Sequence, residues 1–93
     1  MLILGRERLN TFVVKYPPAR SAFAKWMVVV EAAEWSNFAD VKQTFSSADY
    51  VPPYVVFNIG GNKYRLAAKI EYDPKLFLIE KVMTHSEYDK WKP

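Results

Sequence analysis

The stretch Tyr54-Val55-Val56-Phe57-Asn58-Ile59, then Gly60-Gly61, then Asn62-Lys63-Tyr64-Arg65-Leu66-Ala67-Ala68-Lys69-Ile70-Glu71-Tyr72 sets the fold class of this 93-residue chain. Apolar side chains recur there at every second position, which is the period of a strand with one buried face. A Gly-Gly link lets both central residues of a tight turn take positive φ, so the two runs read as a β-hairpin. A two-residue connection sets Ile59 opposite Asn62, Asn58 opposite Lys63, Phe57 opposite Tyr64 and Val56 opposite Arg65. Val55, Phe57, Ile59, Tyr64, Leu66, Ala68 and Ile70 then share a face fit to receive helices. Asn58, Lys63, Arg65, Ala67, Lys69 and Glu71 share the other, joined by Glu80 on the following strand. That second face is either the solvated side of an antiparallel sheet or a row of cations suited to an anion.

Downstream, Tyr72-Asp73-Pro74-Lys75 supplies a turn before a third strand over about Leu76 to Met83. Thr84 and Glu87 stand at the spacing of a capping box, which starts a short helix through His85, Tyr88 and Trp91. Upstream, Pro52-Pro53 and Ser46-Ser47-Ala48-Asp49 read as loop, and Trp35, Phe38, Val41 and Phe45 as one or two helical turns. Before them lie two helices. Leu9, Phe12, Val13 and Tyr16 line one face of the first, from about Arg6 to Tyr16, and Phe23, Trp26, Met27 and Val30 line the second, which ends near Ala33. Pro17-Pro18 ends the first, and Pro18 suits the opening turn of the second, so the pair forms an antiparallel hairpin. Met1-Leu2-Ile3-Leu4 is a first strand. The fold class expected is α+β: an N-terminal strand and helical hairpin on an antiparallel sheet, with a short C-terminal helix, in one domain spanning residues 1–93.

Composition narrows the function. The chain is 51% hydrophobic and 16% aromatic, enough to bury a core rather than stay disordered. It has no cysteine and one histidine, so neither disulfides nor a zinc centre is expected, and no metal or cofactor is assigned. The longest apolar run, Met27-Val28-Val29-Val30, is far below the roughly 20 residues that span a bilayer, and no signal peptide opens the chain. A soluble, cytoplasmic protein is therefore expected. Thirteen basic against ten acidic residues give a net charge of +3, which permits an anionic partner without demanding one.

Val56-Phe57-Asn58-Ile59-Gly60-Gly61-Asn62-Lys63-Tyr64-Arg65-Leu66, followed by Val82-Met83-Thr84-His85-Ser86-Glu87-Tyr88-Asp89, closely resembles the HigB toxin family within the RelE-like group. Leu9, Tyr16-Pro17 and the Trp35 to Phe45 region extend the likeness over nearly the whole chain. The resemblance implies a RelE-like fold, cleavage of mRNA on the ribosome, and neutralisation by a HigA-type antitoxin with a helix-turn-helix DNA-binding domain. It carries the family's signature to Asn58, Asn62, Arg65, His85 and Tyr88.

Metal-independent RNA cleavage by the substrate's own 2′-hydroxyl needs a base, an acid and a group to hold charge on the phosphorane. His85 carries an imidazole, a group suited to proton transfer; its ordinary alternative is a helix-start residue bonded to backbone. Arg65 offers a planar fork for phosphate oxygens, or else a cross-strand pair with Glu80 or Glu71. Tyr88 shares a helix side with His85 and can stack on a base or orient the nucleotide, or simply fill core. Lys63 and Lys69 add positional charge toward RNA. Asn62 and Asn58 read a base edge or tie the turn. The competing function is a ParE-like inhibitor that binds a protein such as DNA gyrase without chemistry.

Overall fold

A computed structural model describes residues 1–91. The elements run β1 (Leu2–Leu4), α1 (Arg6–Lys15), a 3₁₀ turn (Pro17–Ala19), α2 (Arg20–Ala32), α3 (Phe38–Thr44), β2 (Asp49–Val51), β3 (Tyr54–Ile59), β4 (Tyr64–Glu71), β5 (Leu76–Thr84) and α4 (His85–Trp91). All strands join one five-stranded sheet in the order β1-β5-β4-β3-β2. β1 runs parallel to β5 and the other pairs are antiparallel. The expected α+β architecture is therefore present, with the N-terminal strand at one edge of a mixed sheet.

Gly5 lets the chain turn from β1 directly into α1. Its φ is 86°, and a Cβ built there would stand 2.5 Å from the Ile79 carbonyl oxygen, so both conformation and space call for glycine. Phe12 of α1 meets Phe23 of α2 with ring centroids 5.8 Å apart. Arg6, at the start of α1, lies 3.4 Å from Glu31, near the end of α2, which makes the pair the antiparallel hairpin expected. All four residues of the α2 stripe, Phe23, Trp26, Met27 and Val30, are buried.

The hairpin and sheet enclose an aromatic core. Phe57 and Phe77 each approach Trp26 at 5.5 Å, and Phe45 meets Phe57 at 5.5 Å in an edge-to-face contact. Val55, Ile59, Leu66 and Ala68 complete the buried sheet face, as the alternation predicts. α3 is held at both ends. The Asn37 side chain accepts from Asp40 N at 3.0 Å, and the Trp35 indole donates to Thr44 Oγ1 at 3.0 Å.

The structure corrects three expectations. Ile59 faces Tyr64 and Asn58 faces Arg65, so each β3 residue meets a partner two positions later than a two-residue link allows. Gly60 and Gly61 do take positive φ, 68° and 69°, but the connection continues through Asn62 and Lys63. Those residues are committed elsewhere: Asn62 binds Arg65, and the Lys63 carbonyl accepts from His85 N at 2.9 Å. Second, part of the stretch read as loop is the strand β2, where Asp49 pairs with Val56 and Val51 with Tyr54. Third, the polar face is solvated only in part: Lys69 and Glu71 are exposed, whereas Arg65 and Ala67 are buried. α4 lies over it, and Val56, Ala67 and Met83 form a second small core with Tyr54, Tyr88 and Trp91.

A bulge makes both cores possible. Ala67 faces Lys81 but Ala68 faces Ile79, leaving Glu80 as the extra residue on β5. The bulge reverses the side-chain alternation along β5. Met83 points toward α4, whereas Ile79 and Phe77 point toward the helical hairpin.

Phe57 touches most of the aromatic cluster and is 1% exposed. Phe57→Ala is expected to lower unfolding stability by about 3–5 kcal/mol, read as a lower urea midpoint at unchanged slope.

Candidate active site

The face beneath α4 brings polar side chains together at the margin of a cleft. Cross-strand register places Asn58, Arg65 and Met83 in one row, and Asp49, Val56, Ala67 and Lys81 in the next. Because the side-chain period is two, these residues project to the same side of the sheet. The apolar members support α4, and the polar members border a cleft of about 340 Å³. Lys42, Ser47, Asp49, Asn58, Arg65 and Tyr88 line it, with Ala48 and Val56.

Arg65 is the buried charge of this face, with 7% exposure. Its Nη1 donates to the carbonyl oxygens of Asn62 and Tyr64, each at 3.2 Å. Its Nη2 donates to Asn62 Oδ1 at 3.0 Å. The guanidinium carbon stands 5.6 Å from the centre of the Tyr88 ring, a cation–π distance. These partners fix the guanidinium but none carries a negative charge. Among the described residues no carboxylate lies within 4.0 Å of it, so the expected alternative of a pair with Glu80 or Glu71 is not realised. Arginine does not deprotonate in proteins, so this position holds a permanent cation with no counter-ion beside an open cleft.

α4 is set in place by the capping box read from the sequence. Thr84 N donates to Glu87 Oε1 at 2.8 Å, and Glu87 N donates to Thr84 Oγ1 at 3.2 Å. Tyr88 then falls over Arg65, while Trp91 packs on Tyr54 with centroids 5.1 Å apart. Tyr88 thus belongs both to the second core and to the cleft wall.

The other expected site residues divide. Asn58 lines the cleft. Asn62 does not; its side-chain oxygen is engaged by Arg65. Lys69 pairs with Glu80 at 3.5 Å and lies 5.6 Å from the Tyr54 ring centre. Lys63 is exposed at the end of the hairpin loop. His85 is exposed too, with Nδ1 3.2 Å from the Asp89 carboxylate, and is not among the residues lining the cleft.

Lys42, Ser47 and Asp49 were not legible as site residues. They lie in the segment where periodicity fades: Lys42 comes from α3, Ser47 from the loop after it, and Asp49 through the pairing of β2 to the edge of β3. Among the described residues, no cluster of three or more histidine, cysteine or carboxylate side chains is placed to share a metal ion.

Known proteins resemble this chain over most of its length. The HigB_toxin family model, described as a RelE-like toxic component of a toxin-antitoxin system, matches residues 19–91. The chain is similar to the mRNA interferase toxin HigB of Escherichia coli strain K12, with 28% identity over 92 residues, 96% of this chain and 88% of that protein. The mRNA interferase HigB of Escherichia coli O157:H7 matches to the same extent. That of Escherichia coli O6:H1 is 27% identical over 93 residues, 97% of this chain and 90% of the relative.

A cation buried among neutral partners should be stabilised by an added anion. Sulfate at ten times its Kd is expected to raise unfolding stability by about 1.4 kcal/mol, seen as a rise in Tm beyond that given by matched chloride. Arg65→Met should lose the sulfate-specific rise.

Proposed function

The chain belongs to the HigB family of RelE-like toxins, and on that premise we propose that it is an endoribonuclease that cuts messenger RNA on the ribosome. The buried, counter-ion-free Arg65 beside a polar cleft carries this reading. A phosphodiester supplies the charge that Arg65 lacks, and a guanidinium fork matches two phosphate oxygens.

The reaction proposed is metal-independent. The substrate's 2′-oxygen attacks the adjacent phosphorus, the bond to the 5′-oxygen breaks, and a 2′,3′-cyclic phosphate and a 5′-hydroxyl result. Negative charge grows on the non-bridging oxygens as phosphorus becomes five-coordinate. Arg65, already held by Asn62 and Tyr64, meets that charge with little rearrangement. Tyr88 presents a ring on which a base at the cut can stack, and Asn58 an amide for its edge or ribose. His85, Lys63 and Lys69 stand outside the cleft lining and are assigned to RNA flanking the cut. Ribosome dependence is supported by the shape of the site. The cleft offers few groups able to set the in-line angle of a flexible single strand, so a second body that already holds the mRNA fits the need.

The proposed partners are mRNA within the ribosome and a HigA-type helix-turn-helix antitoxin, with cytoplasmic location. No helix among the described residues is long and apolar enough to cross a membrane.

Arg65→Ala is expected to reduce cleavage about 10²–10³-fold, the size of effect seen when one donor to a developing oxyanion is removed. Primer extension on transcripts after brief induction reads it: cuts within translated regions for the natural chain, none for the variant, with growth restored. Full cleavage by Arg65→Ala would remove the basis of this assignment. DNA breaks with intact transcripts would replace it by the gyrase-inhibitor reading.

A further inference from the structure

Two opposite charges border the cleft without neutralising each other. Asp49 enters from β2 and Lys42 from α3, and both line the space in front of Arg65. No ion pair within 4.0 Å joins them among the described residues. The Lys42 ammonium donates to the Ser46 carbonyl at 2.8 Å, which holds it on the cleft side of α3. The Asp49 carboxylate has neither hydrogen bond nor ion pair among the described residues, and its side chain is exposed. The register sets Asp49 opposite Val56 on β3, whereas Arg65 lies on β4. The two residues are thus separated by two inter-strand steps, about 10 Å across the sheet. A long arginine side chain from one strand and a short aspartate from the other both border the cleft.

We propose that Asp49 and Lys42 are the proton-transfer pair of the cleavage reaction, Asp49 accepting and Lys42 donating. This rests on the nuclease reading above and deepens it. The Asp49 carboxylate takes the proton of the 2′-hydroxyl as the bond from that oxygen to phosphorus forms. The Lys42 ammonium gives a proton to the 5′-oxygen as its bond to phosphorus breaks. The products are a 2′,3′-cyclic phosphate and a 5′-hydroxyl, and exchange with water returns Asp49 to carboxylate and Lys42 to ammonium. Roles divide by charge: an anion beside the attacking hydroxyl accepts its proton, and a cation beside the leaving oxygen supplies one. Arg65 keeps its proton throughout and holds the phosphorane. The assignment displaces His85, whose imidazole is paired to Asp89 and does not line the cleft.

The test is single-turnover cleavage of ribosome-bound mRNA by the full-length chain, with RNA affinity measured in parallel. Asp49→Asn is expected to slow cleavage at least about 100-fold while leaving affinity within about threefold, and added formate should restore part of the rate of Asp49→Ala. Lys42→Ala should slow cleavage of ordinary RNA to a similar degree. It should cut at nearly the natural rate when the scissile 5′-oxygen is replaced by sulfur, a leaving group that needs no proton. Unaltered cleavage by Asp49→Asn overturns the proposal, as does a Lys42→Ala defect that the sulfur substrate does not relieve. Collapse of the rate in His85→Ala with Asp49→Asn unaffected assigns the proton acceptor to the imidazole instead. A natural chain that cuts no ribosome-bound RNA overturns the nuclease reading and this pair with it.

Discussion

A guanidinium buried under a tyrosine ring, held by neutral oxygens and facing an open cleft, is the constraint around which the rest of this small protein is arranged. Arg65 is 7% exposed. Taking a charge out of water costs several kcal/mol per ion, even after relaxation, unless something compensates. Three hydrogen bonds from the guanidinium and the Tyr88 ring offset part of that cost while leaving the net charge intact. Had Glu80 turned toward Arg65, the pair would have satisfied both groups and left nothing for a phosphate. Glu80 instead pairs with Lys69 at 3.5 Å, so the neighbouring acid is occupied by the neighbouring base.

Local devices keep this arrangement in place. The Gly60 to Lys63 connection bends so that Asn62 offers both its carbonyl and its side-chain oxygen to one guanidinium. The Thr84–Glu87 capping box starts α4 at the point that lays Tyr88 over the arginine. The bulge at Glu80 lets β5 support α4 with Met83 and the helical hairpin with Ile79 and Phe77. Each device is small. Together they convert one side of an ordinary sheet into a second core with a polar cleft at its margin.

Much of this is written in residue pattern, and the failures have identifiable causes. Alternation from Tyr54 to Glu71 assigns both sheet faces correctly although the expected pairing is displaced by two positions, because an even displacement preserves which side each residue faces. The capping box and the apolar stripe of α2 are local, and each has the geometry its spacing implies. The true length of the hairpin connection is not local, since it depends on Asn62 finding Arg65 and on Lys63 accepting from His85. β2 escapes detection because three residues carry too little periodicity, and Pro52-Pro53 beside them reads as loop. Asp49 reaches the cleft through that strand, and Lys42 from α3. Basic character alone does not separate Arg65 from Lys63 and Lys69, which sit outside the cleft lining.

The preference for one buried arginine over several surface lysines follows from screening. A unit charge 4 Å from a phosphate gains about 1 kcal/mol in bulk water, but about 4 kcal/mol where the effective dielectric constant is near 20. Exposed charges more than about 10 Å away are largely screened at ordinary ionic strength. A net charge of +3 therefore draws RNA toward the protein without selecting a phosphate. Selection requires a charge that water does not already solvate and that the protein does not already neutralise. Among the described residues, Arg65 alone meets both conditions as the buried charged side chain of the fold. Placing the remaining charges at the cleft margin, where water can still exchange their protons, lets them turn over without disturbing the residue that grips.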